Sequence, residues 1–286
     1  MCMDASQQLR PELQEKLNRL RDYFDQLGAV CVSFSGGVDS TMLAAVAHQQ
    51  LGQRCFCVTE SNPLYPARET AESQAFCAER GIRQIMITHK LGAVEGFAEN
   101  PPERCYLCKS ELFDRLRTTA DAFALEQGFI EQGQRIACVE GSNVSDLGDW
   151  RPGSQAVKEK GILSPFLEVG LDKSEIREIS QALGLPTWSK PSFACLASRF
   201  PYGQRITEEL LGRVDAAEQL LLDAGFEQVR VRLHEGGTLA RVEVAPDRLR
   251  DALRYLQEDG SAQLHELGFK HVSLDTDGYR TGSMND

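Results

Sequence analysis

The sequence predicts an α/β protein built on a parallel sheet, followed by a smaller α/β domain. Between residues 6 and 184, short apolar runs alternate with amphipathic stretches, a pattern typical of strands joined by helical crossovers. Small polar residues follow several of these runs, at the carboxyl ends of the predicted strands, where parallel sheets bind ligands. From Thr207 the pattern starts again. We therefore place one domain at 1–205 and a second at 206–286.

Each element follows from a local pattern. Leucines recur at helical spacing in the first helix, Gly52 ends the second helix, and Asp172 is a candidate N-cap for the last helix of the first domain. In the first domain, strands are predicted at 29–34, 54–60, 82–88 and 135–141, and helices at 6–27, 41–52, 66–81, 109–128 and 172–184. In the second domain, helices are predicted at 207–225 and 246–258, and strands at 228–234, 238–244 and 270–274. Residues 146–161 contain glycine and proline and are predicted as loop.

Charge and cysteine content argue against several classes of protein. The 286 residues carry a formal net charge of −11, which argues against a large nucleic-acid footprint. No apolar run is long enough to span a membrane, and MCMDASQQLR lacks the features of a secretory signal. Nine cysteines, an odd number in a long chain, favour reduced thiols and a cytoplasmic protein. Four of them lie in apolar runs and are expected in the core: Cys31, Cys55, Cys57 and Cys138.

The stretch VSFSGGVDST, residues 32–41, joins the first strand to the next helix. A glycine-rich turn at a helix N-terminus directs N–H groups at an anion. The lysine of a Walker A loop is missing, and Asp39 brings a carboxylate to the same place, which suits Mg²⁺ bridged to phosphate. The alternative is a tight structural turn. The predicted phosphate- and metal-binding residues are Ser33, Ser35, Gly36, Gly37, Asp39 and Ser40.

Three cysteines stand apart from the apolar runs. Cys105 and Cys108 form a C-x-x-C motif in NPPERCYLCKSELF, which suits a redox dithiol, half of a metal site or ordinary packing. Cys195 lies in a long, proline-punctuated, aromatic loop between Lys190 and Arg199, whose charges would favour a thiolate nucleophile or ligand. A thiol packed among apolar neighbours is the alternative for Cys195.

SGGVDS resembles the PP-loop of the ATP pyrophosphatase superfamily, whose catalytic domain has a Rossmann-like α/β fold. Members include GMP synthetase, NAD synthetase, asparagine synthetase and several sulfur transferases. They adenylylate an oxygen-bearing carbon and release pyrophosphate, and a nucleophile then displaces AMP. The resemblance implies ATP and Mg²⁺ as cofactors, with Asp39 holding the metal. It also implies that Thr59, in the TES turn, and Gly141, in EGSN, border the AMP.

Three further stretches, RCYLCK, EGSNVSDLGDWRPG and KPSFACLASRFPYGQRIT, resemble the LarE family, and the likeness covers roughly residues 10–280. These are ATP-dependent sulfur transferases that build the nickel-pincer nucleotide cofactor of lactate racemase. The resemblance implies that a pyridinium mononucleotide bearing two carboxylates is adenylylated and that Cys195 forms a thioester with it. In the single-cysteine form of the family this cysteine gives up its own sulfur and becomes dehydroalanine.

The sequence departs from the single-cysteine form because Cys105 and Cys108 are present. In three-cysteine members the thiols hold a [4Fe–4S] cluster or otherwise handle a transferable sulfur, so that the enzyme can turn over. The resemblance thus implies Cys105, Cys108 and Cys195 as catalytic residues and iron–sulfur ligands, with Lys109 near the AMP or the sulfur. The sulfur transferred to the substrate has three possible immediate sources: cluster sulfide, a persulfide or the Cys195 sulfur. The sequence does not identify the donor that supplies it.

VRVRLHE places Arg230 and Arg232 on one side of a strand, because alternate residues share a side. Two parallel guanidinium groups suit a substrate phosphate, and the family resemblance favours this over solvated surface arginines. A homo-oligomer is also expected. The acidic candidates for a metal or subunit contact in the same domain are Glu218, Glu243 and Asp251.

The resemblance predicts an enzyme that converts the carboxylates of a pyridinium dicarboxylate mononucleotide to thiocarboxylates. A PP-loop tRNA thiolation enzyme shares the loop and the C-x-x-C motif, but the net charge of −11 argues against tRNA binding. An ammonia-dependent, amide-forming synthetase would leave the cysteines structural. A nucleotide-sensing module would bind ATP without releasing pyrophosphate.

Overall fold

The computed structural model describes residues 9–148, 152–191 and 194–280. The chain divides into two compact units. The first unit comprises Met1–Ser61, Ala67–His89 and Cys105–Ser192, and the second comprises Asn62–Pro66, Lys90–Arg104 and Phe193–Asp286. Residues 90–104 and the described residues from 194 to 205 therefore group with the C-terminal part, although they precede the predicted boundary. That boundary stays a prediction.

The described residues of the first unit contain a four-stranded parallel sheet. Val30 of the first strand is in register with Cys55 on one side and with Ala137 on the other. The predicted α/β fold with a parallel sheet is confirmed. The strands are β1 (Val30–Ser33), β2 (Cys55–Glu60), β3 (Arg83–Ile87) and β4 (Ala137–Val139), in the order β3-β2-β1-β4.

Helices cover both faces of this sheet because its side chains alternate between two apolar cores. Val30 and Val32 pack in one core with Phe24, whereas Cys31 packs in the other core with Phe113. The helices in this part of the chain are α1 (Pro11–Leu27), α2 (Val38–Leu51), α3 (Ala67–Arg80), α4 (Arg104–Glu126), α5 (Pro152–Glu159), α6 (Pro165–Val169) and α7 (Lys173–Ala182).

The four cysteines expected in the core are buried, as is Cys77. Burial raises the pKa of the Cys31 and Cys57 thiols, and it raises the pKa of Cys55 to about 12. These thiols are therefore protonated at neutral pH and shielded from reagents. They act as small apolar side chains.

Two helix predictions need correction. Helix α4 begins at Arg104, not at 109, so Cys105 and Cys108 lie among its first five residues instead of ahead of it. Helix α5 occupies part of the stretch 146–161 that was predicted as loop. Its proline is the first helical residue, where a missing N–H costs little. Residues 149–151 of that stretch lie outside the described residues, as do 6–8 of the first predicted helix.

The second unit contains a three-stranded sheet in its described residues, with β5 and β6 antiparallel and β6 and β7 parallel. The predicted helix, two strands, helix and strand are all present. A short π-helical turn, Leu256–Gly260, joins the last two helices. The elements are α8 (Glu208–Asp223), β5 (Val229–His234), β6 (Leu239–Val244), α9 (Leu249–Tyr255), α10 (Ser261–Glu266) and β7 (His271–Leu274).

Within the part of the chain that the structure describes, no helix is long and apolar enough to cross a membrane.

Candidate active site

The turn between β1 and α2 has the geometry of an anion-binding loop. Gly36 has a φ of 72°, and Gly37 is the N-cap of α2. The Ser35 and Ser40 hydroxyls lie 3.1 Å apart, and Ser40 Oγ also accepts a hydrogen bond from the Ser35 N–H at 3.3 Å. The first N–H groups of a helix have no acceptor within it, and the helix dipole adds partial positive charge there. The loop thus presents donors to a phosphate.

Asp39, in the first turn of α2, is the charged group at this loop. Its Oδ2 lies 2.5 Å from Lys173 Nζ, and its Oδ1 accepts a 3.4 Å hydrogen bond from Asn143 Nδ2. Asn143 is almost fully buried, whereas the side chains of Asp39 and Lys173 are about a quarter exposed. The ion pair therefore faces a solvent-accessible site at the carboxyl edge of the sheet.

Gly141 is needed for close approach to this loop. A Cβ at position 141 would lie 2.8 Å from Asp39 Cβ, closer than real Cβ atoms come, and 3.3 Å from the Ser40 nitrogen. The Asp39 backbone and side chain therefore pack directly on the segment that follows β4. Asn143, two residues later, donates to the same carboxylate.

Thr59 and Ser33 lie at the ends of adjacent strands. Thr59 is buried in β2, and its hydroxyl donates to the Phe34 carbonyl at 2.8 Å while accepting from Gln84 Nε2 at 2.7 Å. Ser33 is the last residue of β1 and is half-buried. Thr59 thus ties the end of β2 to the residue that leads into the loop.

Cys105 and Cys108 are three residues apart at the start of α4, a spacing that places both on one side of the helix. Cys105 is exposed and Cys108 is half-buried, unlike the core cysteines. Lys109 packs against the start of α5, since a Cβ at Gly153 would lie 2.6 Å from Lys109 Cδ. The C-x-x-C motif is thus accessible at the start of a helix.

Cys195 is half-buried in the second unit, at the start of a 3₁₀ turn, Leu196–Arg199. Its carbonyl accepts hydrogen bonds from the Ser198 N–H at 3.0 Å and from Arg199 Nη1 at 3.1 Å. Arg199 is fully buried and forms a two-pronged ion pair with Glu218, at 2.8 and 2.9 Å. The backbone at Cys195 is therefore held by a buried charged group.

Arg230 and Arg232 are both buried, so the alternative of solvated surface arginines is wrong. Arg232 forms two hydrogen bonds with Glu243, at 3.0 and 2.9 Å, and a third with the Ser198 carbonyl at 3.0 Å. The Arg230 guanidinium lies 4.9 Å from the centre of the Tyr279 ring. Burial, followed by the nearby charge of Arg199, lowers the pKa of Arg230 to about 10.

The three acidic residues of this domain that were candidates for a metal or subunit contact are each paired with an arginine. Glu218 and Glu243 lie fully buried against Arg199 and Arg232, whereas Asp251 is half-exposed and lies 3.0 Å from Arg248 Nε. Among the described residues, no three Cys, His, Asp or Glu side chains form a group that could hold a metal ion. Cys195 belongs to a different unit from Cys105 and Cys108, so their convergence stays a prediction.

Comparisons with known proteins cover nearly the whole chain. An uncharacterized protein of Synechocystis sp. is 40% identical over 277 residues, which are 96% of this chain and 98% of that protein. The pyridinium-3,5-bisthiocarboxylic acid mononucleotide synthase of Lactiplantibacillus plantarum, a LarE protein, is 33% identical over 261 residues, covering 91% of this chain and 90% of the synthase. The chain belongs to the LarE family. No protein-family model matches it.

More distant relatives show the superfamily of this LarE protein. The GMP synthase of Bifidobacterium longum is 26% identical over 200 residues, which are 63% of this chain and 36% of that enzyme. The present chain is therefore a member of the PP-loop ATP pyrophosphatase superfamily and an ATP-dependent sulfurtransferase.

Sequence reasoning missed the partners of Asp39 in this LarE protein. Asp172 is the N-cap of α7, as predicted, and it forms a capping box with Glu175. Lys173 is therefore the first helical residue, where a cation is disfavoured by the helix dipole. A lysine at a helix N-terminus is unfavourable, and this signal could have identified Lys173 as a candidate functional residue. Asn143 gave no comparable signal.

Lys190 was expected beside the thiol of Cys195, but its ammonium group is occupied elsewhere. Its Nζ lies 2.6 Å from Oε2 of Glu69 and 2.6 Å from Oε2 of Glu72, both on α3. The same Nζ donates to the Gly36 carbonyl at 3.4 Å. In this arrangement the lysine supports the anion-binding loop. Residues 192 and 193 of the cysteine loop, including the aromatic Phe193, lie outside the described residues.

We predict that Gly141→Ala weakens ATP binding. The added methyl group would overlap Asp39 and displace it, and overpacking of this kind costs about 1–3 kcal/mol, enough for an about tenfold loss of affinity. Isothermal titration calorimetry with MgATP measures the dissociation constant of each variant. Gly148→Ala is the matched control, because a Cβ there meets no atom of the described residues within 4 Å. Equal ATP affinity in the two variants would contradict the close approach.

Proposed function

We propose that this enzyme adenylylates the carboxylates of a pyridinium dicarboxylate mononucleotide and converts them to thiocarboxylates for a nickel-pincer nucleotide cofactor. The observation that carries the proposal is the Asp39–Lys173 ion pair at the first turn of α2, because it brings a cation and a carboxylate to the glycine-rich loop. The substrate class is supported by the activity for which the Lactiplantibacillus relative is named, synthesis of pyridinium-3,5-bisthiocarboxylic acid mononucleotide.

In the first step, a substrate carboxylate oxygen attacks the α-phosphorus of ATP, and pyrophosphate leaves. The N–H groups of Gly36 and Gly37 and the hydroxyls of Ser35 and Ser40 bind the leaving pyrophosphate. Lys173 neutralises charge on the same group. Ser33, Thr59 and Gly141 line the strand ends where the AMP portion binds.

Asp39 fits a magnesium ion. A carboxylate accepts about four hydrogen bonds or metal bonds, and Lys173 and Asn143 occupy two of these positions. Magnesium in nucleotide sites is typically held by one or two carboxylates together with substrate phosphates. When bound, it would offset the negative charge that develops on the phosphate oxygens.

In the second step, the Cys195 thiolate attacks the adenylylated carboxyl carbon, AMP leaves, and a thioester forms. In the route where Cys195 gives up its own sulfur, loss of the Cys195 Cα proton then breaks the Cβ–S bond, which leaves the sulfur on the substrate carbon as a thiocarboxylate and converts Cys195 to dehydroalanine. As the alternative to this loss, we propose that Cys105 and Cys108 act with Cys195, with Lys109 close by. The three thiolates would hold a [4Fe–4S] cluster that supplies the transferred sulfide, or one of them would carry a persulfide whose S–S bond is cleaved by a second thiol as a disulfide forms. Their exposure relative to the core cysteines supports this assignment.

We propose that Arg230 and Arg232 bind the substrate phosphate. Both arginines are buried and lie at alternate positions of β5. Burying a positive charge is costly unless an anion balances it, and a phosphate accepts two parallel hydrogen bonds from a guanidinium group. The burial-lowered pKa of Arg230 is consistent with that cost. A phosphate would offset it. Cytoplasmic location, a homo-oligomeric state and the absence of a nucleic-acid partner stay predictions.

We predict that Cys195→Ala abolishes sulfur transfer but spares pyrophosphate release, because adenylylation precedes the thiol step. The two half-reactions are followed with labelled ATP and by mass spectrometry of the nucleotide product. Cys77→Ala is the matched control, since Cys77 is a core thiol. Intact product formation in Cys195→Ala would favour an ammonia-dependent synthetase. Loss of both half-reactions in a folded variant would contradict the assigned step.

We predict that anaerobic reconstitution with iron and sulfide yields a brown protein, and that replacing Cys105, Cys108 or Cys195 by Ala removes the colour. Three thiolates leave one iron of a [4Fe–4S] cluster open for a transferable sulfide. Chemical analysis of iron and sulfide, together with the visible absorption spectrum, measures the cluster content of each protein. Colourless wild-type protein would instead indicate a persulfide carrier or loss of the Cys195 sulfur. A protein mass lower by one H₂S after turnover would identify the latter.

A further inference from the structure

Asn100 has an unusual backbone for a fully buried residue. Its φ is 56°, in the left-handed region that residues other than glycine seldom adopt, and its relative exposure is 0%. Asparagine tolerates this region better than most residues. A buried residue held in such a conformation requires compensating contacts.

The side chain of Asn100 uses both its donor and its acceptor atoms. Nδ2 donates to the Pro201 carbonyl at 2.7 Å and to the Phe200 carbonyl at 3.3 Å. Oδ1 accepts from Arg104 Nη1 at 2.8 Å. The Asn100 carbonyl accepts from the Gly203 N–H at 3.0 Å. One residue thus joins two segments that lie a hundred residues apart in the chain.

Arg104 extends this contact toward the C-x-x-C motif. Its guanidinium lies 4.7 Å from the centre of the Tyr202 ring, and the residue is only 7% exposed. Arg104 is also the first residue of α4 and is bonded directly to Cys105. We call Asn100, Arg104, Phe200, Pro201 and Tyr202 the Asn100 cluster.

On its other side, the Asn100 cluster holds the end of the turn that begins at Cys195. Phe200 follows the turn Leu196–Arg199, and its N–H donates to the Ala197 carbonyl at 3.2 Å. Phe200 is itself buried. The opposite end of the turn is fixed by Arg199, which donates to the Cys195 carbonyl. Within the turn, the Leu196 N–H donates to the Leu64 carbonyl and the Ser198 carbonyl accepts from Arg232, so release of Phe200 would free the chain where it leaves the turn.

We propose that Asn100 is a positioning residue for Cys195, holding the cysteine turn against the segment that leads into Cys105 and Cys108. The effect of this positioning role on sulfur transfer rests on the function proposed above for Cys195. Asn100 touches neither substrate nor the reacting sulfur. It acts by limiting the movement of the turn that carries the thiol.

Asn100→Gly is the informative variant, because glycine keeps the left-handed backbone without strain and removes only the amide. Glu99→Gln is the matched control. Glu99 pairs with Arg205 across the same two segments, but both side chains are more than half exposed, so that ion pair contributes little. Tyr202→Leu removes the ring beside Arg104 at a partly exposed position, and is a milder variant of the same cluster.

The first measurement is the rate at which iodoacetamide alkylates Cys195 in the native protein, followed by peptide mass spectrometry. We expect an about tenfold faster rate in Asn100→Gly, because two or three buried hydrogen bonds are lost. We expect a smaller increase in Tyr202→Leu and no change in Glu99→Gln. Buried Cys57 should stay unlabelled, which shows that each variant is folded. Unchanged labelling of Cys195 in folded Asn100→Gly and Tyr202→Leu would overturn the inference.

The second measurement separates positioning from general stability. We expect Asn100→Gly to release pyrophosphate as the wild type does and to transfer sulfur about tenfold more slowly. Equal loss of both half-reactions would show a merely structural residue and overturn the inference. Alkylation of Cys195 needs no substrate, so this measurement tests the positioning role of Asn100 independently of sulfur transfer. If the wild-type protein transferred no sulfur, that result would overturn only the proposed function.

Discussion

The ion pair between Asp39 and Lys173 is the contact on which the proposed nucleotide site depends. Asp39 lies in the first turn of α2, where the helix dipole favours its negative charge. A carboxylate at a phosphate site would repel the ligand unless a cation or a metal ion offset it. Lys173 supplies the cation from the N-terminus of another helix, at 2.5 Å. We propose that this arrangement lets the site hold both a metal ion and pyrophosphate.

The rest of the first unit serves to bring these groups together. Apolar side chains on alternate sides of β1 bury the sheet between two helical layers, which places the β1–α2 turn at its carboxyl edge. Gly141 lets the segment after β4 contact Asp39 directly. The capping box of Asp172 and Glu175 fixes the start of α7, and with it the backbone of Lys173. In the second unit, buried Arg199 holds Cys195 in a comparable way.

The sheet and the loop of Ser35 and Asp39 could be predicted because they follow from local patterns, apolar alternation and glycine-rich turns. The partners of Asp39 could not, because Asn143 and Lys173 meet it only after residues distant in sequence have folded together. Arg230 and Arg232 were correctly placed in a strand, but their burial depended on Glu218, Glu243 and Tyr279, which periodicity does not reveal. Helix α5 was missed because its initial proline and glycine resemble a loop signal.

Equilibrium binding of MgATP to Lys173→Met tests the nucleotide site most directly. Lys16→Met is the matched control, since Lys16 pairs with Glu175 of the same helix α7, at 2.6 Å, without touching Asp39. We expect Lys173→Met to lose about tenfold or more in affinity, as charge-assisted contacts to phosphate are lost, and Lys16→Met to bind as the wild type does. Equal ATP affinity in Lys173→Met and wild type would contradict the assignment of this ion pair to the pyrophosphate site.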